Sequence, residues 1–79
     1  MNLVFALDQL RKARRLVKDG QKSMVRQRET VARLESRGHD ATEALLFLEY
    51  LEEMQAKYEV HREQVEKQVL GLVKPTDDD

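Results

Sequence analysis

From Leu3 to Leu34, apolar and small side chains recur at alternating intervals of three and four: Leu3, Ala6, Leu10, Ala13, Val17, Gly20, Met24, Gln27, Val31 and Leu34. This spacing lines them up along one stripe of a helix, the seam of a coiled coil. Midway, Asp19-Gly20 has the look of a turn. A turn has no reason to preserve the phase of the repeat, yet the repeat continues across it without a slip. The pattern therefore predicts one helix from about residue 3 to 37, which carries Gly20 at a local cost of about 1 kcal/mol. The alternative is a break at Gly20 and a three-helix bundle.

Firmer punctuation lies at Ser36–Glu43, the run SRGHDATE. Gly38 suits the left-handed residue that ends a helix. Asp40 suits an N-cap, with Glu43 three residues on completing a capping-box arrangement. The expected turn is thus residues 38–40, and the second helix runs from about 41 to 73. Pro75 and the three closing aspartates make a flexible acidic tail over 74–79. So short a connection implies antiparallel neighbours. The fold expected is all-α: a single two-helix antiparallel hairpin domain, coiled-coil-like along its length.

Folding the chain about Gly38 pairs residues whose numbers sum to about 78. Leu34 meets Ala44, Gln27 meets Leu51, Gly20 meets Tyr58, Ala13 meets Val65 and Ala6 meets Leu72. Small residues on one helix face large ones on the other, which lets layers interdigitate. Gly20 then makes room for the Tyr58 ring. On one flank the expected neighbours are Leu7–Val73, Arg14–Glu66, Gln21–Glu59 and Arg28–Glu52, mostly charged or polar. On the other they are Leu16–Val60, Ser23–Glu53 and Thr30–Leu46, with Phe47, Leu48 and Met54 nearby. That second flank is more apolar than a lone hairpin can bury. It predicts a homodimeric four-helix bundle whose interface uses Leu16, Leu46, Phe47, Met54 and Val60.

Composition points the same way. A chain of 79 residues without cysteine has no disulfide to supplement a small core, which leaves oligomerisation as the common remedy. Charged residues make up 37% of the chain and aromatics 5%, as in long solvated helices. The apolar runs LVFAL and ALLFL are too short to span a bilayer, and the first residues lack the layout of a signal peptide. A cytoplasmic protein without a membrane role is expected. The net charge of −1 hides a strong asymmetry: residues 1–38 carry ten Lys/Arg and four Asp/Glu, and residues 39–79 carry four and eleven. The two halves can pair with each other, or the basic half can meet an anionic partner.

The basic run RKARRLVK, with Arg11, Arg15 and Lys18, continues to Lys22 and Arg26. These five are the candidate contacts to a phosphate backbone. Other chemistry is thin. His61 is expected near the seam opposite Val17, but its helical neighbours Lys57, Tyr58, Gln64 and Val65 include no good metal ligand. His39 sits in the turn. Glu49, Glu52 and Glu53 cluster on a solvated face with no cleft. The chain contains no phosphate-binding glycine loop, nucleophile elbow or cysteine nucleophile. No catalytic, cofactor-binding or metal-ligating residue is assigned, and neither an enzyme nor a small-molecule ligand is expected.

The run RQRETVARLESRGHDATEALLFLEYLEEMQ and the later VHREQV resemble a group of short α-proteobacterial proteins. They share an Arg-Gln-Arg-Glu helix (Arg26–Glu29), a Gly-His-Asp turn (Gly38–Asp40), a Thr-Glu-Ala start (Thr42–Ala44) and a later His-Arg pair (His61, Arg62). The likeness spans about residues 25–65. It implies a helical hairpin in a bacterial cytoplasm and no particular activity. The function expected is a small, non-enzymatic protein–protein interaction and self-association module. The rival expectation is a nucleic-acid-binding regulator that uses the basic face of the first helix.

Overall fold

The computed structural model describes residues 2–73, which form two helices, α1 (Leu3–Ser36) and α2 (Thr42–Val73). α1 begins where the Asn2 side chain accepts a hydrogen bond from the Phe5 amide at 2.8 Å. It runs without interruption through Gly20, so the heptad phase outweighs the local Asp-Gly signal and the three-helix alternative falls. Its end is set by Gly38, at φ 73°. The Gly38 amide donates to the Glu35 carbonyl at 3.0 Å and the His39 amide to the Leu34 carbonyl at 2.9 Å. This pair of bonds closes a helix whose last carbonyls would otherwise lack partners.

α2 starts by a variation on the expected cap. The Asp40 carboxylate accepts from the Thr42 amide at 2.9 Å and from the Thr42 hydroxyl at 2.6 Å. The expected capping box is not formed: Asp40 bonds Thr42 two residues on, and no hydrogen bond joins Glu43 to Asp40 among the described residues. Both bonds stabilise the charged carboxylate and hold its pKa below the ordinary aspartate value. Ala41 is buried, and its carbonyl accepts from the Leu45 amide at 2.9 Å, which ties the turn to the first turn of α2. The tail expected over 74–79 lies outside the described residues.

The hairpin is a rod of 66 × 18 × 16 Å with a radius of gyration of 18.4 Å. A compact domain of this length would have about 12 Å. So thin an object has almost no interior. Its main core is Ala6, Leu10 and Ala13 against Val65 and Val69. Among the described residues, Val17, Val31 and Ala41 are the other buried apolar ones, and no large side chain is fully enclosed.

The middle of the seam departs from the sequence reading. The one buried polar residue among those described is Gln55, at 3% exposure. Its Nε2 donates to the Val17 carbonyl across the seam at 2.9 Å, and its Oε1 is buried without a partner. A Cβ on Gly20 would overlap the Gln55 amide, whereas the Tyr58 ring would stand 3.5 Å away in ordinary contact. Gly20 is therefore small to admit Gln55 first and Tyr58 second. A second glutamine mirrors the device from the other helix, with Gln27 Nε2 donating to the Ala44 carbonyl at 2.9 Å. Paired polar contacts of this kind fix one register of a coiled coil at some expense of stability.

Candidate functional site

The hairpin offers surfaces to examine, since the described residues form no enclosed cleft. The two helices present two long edges beside the seam. On the first edge, Arg14 reaches Glu66 at 3.7 Å and Arg28 reaches Glu52 at 3.6 Å, as the spacing predicted. Arg62 approaches the same Glu66 at 4.0 Å. The rows along this edge are Leu7, Arg14, Gln21, Arg28 and Glu35 on α1, and Leu45, Glu52, Glu59, Glu66 and Val73 on α2. Six of these ten are charged.

The second edge carries Gln9, Leu16, Ser23 and Thr30 on α1, and Phe47, Met54, His61 and Gln68 on α2. None of these eight is Asp, Glu, Lys or Arg. Leu16, Ser23 and Met54 line one groove of about 160 Å³ with Asp19, Gly20, Leu51 and Tyr58. The neighbours here are not the expected ones. Ser23 shares the groove with Met54, one residue on from the expected Glu53, and Leu16 lines it with Met54 and Tyr58 while Val60 is not among its lining residues. Seam layers alternate between steps of three and four, so the two flanks of an antiparallel pair are not symmetric about it.

The candidate interface residues consequently divide. Leu16 and Phe47 are about half exposed and lie on the uncharged edge, and Met54 lines the groove with Leu16. Leu46 and Val60 are also exposed, at 58% and 55%, but they sit in the outward row of α2 that includes Glu53 and Lys67. Val60 lines a different depression, with Ala56, Lys57, His61 and Gln64. The start of α2 is apolar on nearly every side: Leu45, Leu46, Phe47 and Tyr50 are all exposed, and the Phe47 and Tyr50 rings stack with centroids 6.0 Å apart. A helix that is apolar all round is one that expects cover.

The basic candidates lie on the outside of α1. Arg11 is held by Asp8 at 3.0 Å, and Lys12 shares that aspartate at 3.3 Å. Arg15, Lys18, Lys22 and Arg26 make no ion pair among the described residues. Lys18, Lys22 and Arg26 border one open depression with Gln21, Val25 and Glu29.

His61 is exposed and does not face Val17. The seam position belongs to Arg62, whose Nε is buried without a hydrogen bond, 4.0 Å from the Glu66 carboxylate. His39 is exposed in the turn, where its backbone amide completes the α1 cap. Among the described residues no group of three or more His, Cys, Asp or Glu is placed to hold a metal ion, and no helix is long and apolar enough to cross a membrane. Gln55 is not among the seam residues expected from the sequence, which are every second layer of α2. Its signal was available: residues 41, 48, 55, 62 and 69 continue the seam at intervals of seven.

No protein family, no curated protein and no solved structure matches the chain.

Proposed function

We propose that this protein is a small interaction module that works by self-association. Two hairpins lay their uncharged edges together as a homodimeric four-helix bundle, and the bundle presents its charged outer faces to a protein partner. The observation that carries this reading is the edge of Leu16, Ser23, Phe47 and Met54, which bears no charged side chain while the opposite edge is laced with ion pairs. Water tolerates either edge, but only the first can be desolvated without stranding a charge. The near-absence of an interior in the single hairpin supports the same conclusion. No catalytic step is assigned to any residue, and a cytoplasmic location is part of the proposal. Sedimentation equilibrium is the test: a dimer is expected at tens of micromolar, and a monomer throughout that range overturns the reading.

A second reading rests on Arg15, Lys18, Lys22 and Arg26, the outer cations without intrachain carboxylate partners among the described residues. They would contact a nucleic-acid backbone. Fluorescence anisotropy with duplex DNA and structured RNA separates the two readings. Binding that weakens steeply with salt and disappears in the Arg15→Glu, Lys18→Glu double variant would favour the second, and no binding at low salt would remove it.

A further inference from the structure

Resting on the self-association reading, we infer that the second copy lies with its twofold axis parallel to the helices, so that α1 of each hairpin covers α2 of the partner in a register set by charge. The inference rests on a pair of rows just outside the uncharged edge. α1 carries Phe5, Lys12, Asp19, Arg26 and Arg33 at intervals of seven, and α2 carries Glu43, Tyr50, Lys57, Gln64 and Gly71 at the same interval. Residues seven apart lie on one face of each helix. The charged members of both rows, and Tyr50, are exposed.

A twofold axis along the rod keeps every residue at its own level. The α1 row of one copy then meets the α2 row of the other in the order in which the rows already lie side by side. Arg33 comes to Glu43 of the partner subunit, and Asp19 comes to Lys57 of the partner subunit. Arg26 falls over the exposed ring of Tyr50 of the partner subunit, an arrangement that attracts a guanidinium. Lys12 meets the neutral Gln64 of the partner subunit. At the far end, the half-exposed Phe5 ring meets Gly71 of the partner subunit, where a side chain would find only open space. At all five levels the pairing is opposite charge, cation on ring, cation on neutral amide, or bulk on glycine. No like charges meet.

The competing arrangement puts the axis across the rod and lays α1 on α1 and α2 on α2. α1 carries nine Lys/Arg against four Asp/Glu, and α2 carries three against seven. That packing brings basic face to basic face and acidic face to acidic face, which opposes association. The second copy is therefore read through the same complementarity that pairs Arg14 with Glu66 inside one chain. Asp19 and Lys57 make no intrachain ion pair among the described residues, which leaves both available.

Charge reversal tests the arrangement. Asp19→Lys alone would set Lys against Lys57 of the partner subunit at two symmetric places, and Lys57→Asp alone would set Asp against Asp19 of the partner subunit. Each variant is expected to self-associate about tenfold more weakly than the natural chain at low salt. An equimolar mixture of the two variants restores opposite charges at both places, and its heterodimer is expected to recover association to within about twofold of the natural protein. Circular dichroism of each variant checks that the hairpin is folded, and both positions are exposed. A natural dimer whose variants associate undiminished, or whose mixture is no tighter than either variant alone, overturns the arrangement and leaves self-association standing. A monomeric natural protein overturns both.

Discussion

The two edges of the hairpin flank the same seam and differ in what they ask of their surroundings. One has Arg14, Arg28, Glu52 and Glu66 in cross-helix pairs, every partner at least one-third exposed. The other has Leu16, Ser23, Phe47 and Met54 without a charge. Both edges are built from the same two regular helices, so the contrast in charge lies in the side chains. A charged edge stays in water at no cost, because its pairs are weak when solvated and its ions are costly to strip. An uncharged edge loses little on being covered. The comparison shows where a thin rod can thicken, and it does so without appeal to total hydrophobicity.

The largest effect expected breaks that contrast directly. Met54→Glu puts an unpaired charge on the uncharged edge and should weaken self-association by about a hundredfold or more in sedimentation equilibrium. Arg28→Ala on the other edge should leave association unchanged and cost under about 0.5 kcal/mol in urea denaturation, less at high salt. If Arg28→Ala dissociated the dimer and Met54→Glu did not, water would lie on the opposite side from the one argued here.

A middle-sized effect concerns the seam between the edges. Gly20→Ala gains about 1 kcal/mol of helix propensity. It also evicts the Gln55 amide, at a loss of about 1–3 kcal/mol for a buried hydrogen bond. Net destabilisation is expected in the natural chain. In a Gln55→Ala background the same change should stabilise by about 1 kcal/mol. Urea denaturation of the four proteins reads this sign reversal; simple additivity would show that the glycine is not reserved for the glutamine.

The smallest effect belongs to the turn. The hydrogen bonds from Thr42 lower the Asp40 pKa, so the stabilisation is present above the pKa of the unfolded chain and fades as pH falls through the lower folded value. Comparing thermal melts of the natural chain and Asp40→Asn from pH 6 to pH 2, the natural chain's advantage should shrink below about pH 4. An advantage that instead grew on acidification would contradict the cap.

How much of this was legible in the sequence follows from what each feature depends on. The continuity of α1 through Gly20, the turn at Gly38 and the Arg14–Glu66 and Arg28–Glu52 pairs depend on spacing, and spacing is written in the chain. Gln55 was hidden because its partner is the carbonyl of Val17, and a backbone group has no letter. The uncharged edge was misplaced by one residue for a geometric reason: a seam with unequal steps does not reflect one flank into the other. The same shift moved His61 out to solvent and brought Arg62 in.

The glutamine layer at Gly20 and Gln55 also divides the seam into two stretches of unequal reach. Val31 and Ala41 are buried in the stretch beside the turn, where a contact across the seam closes only a short loop. The cluster of Leu10 and Val69 closes only after about sixty residues are brought round, and loop closure costs more as the loop lengthens. Closure entropy by itself therefore favours zipping from Gly38 outward, with the Leu10–Val69 cluster last to shut. The expected sign is faster amide exchange near Leu10 and Val69 than beside the turn, through openings that leave Gly38 in place.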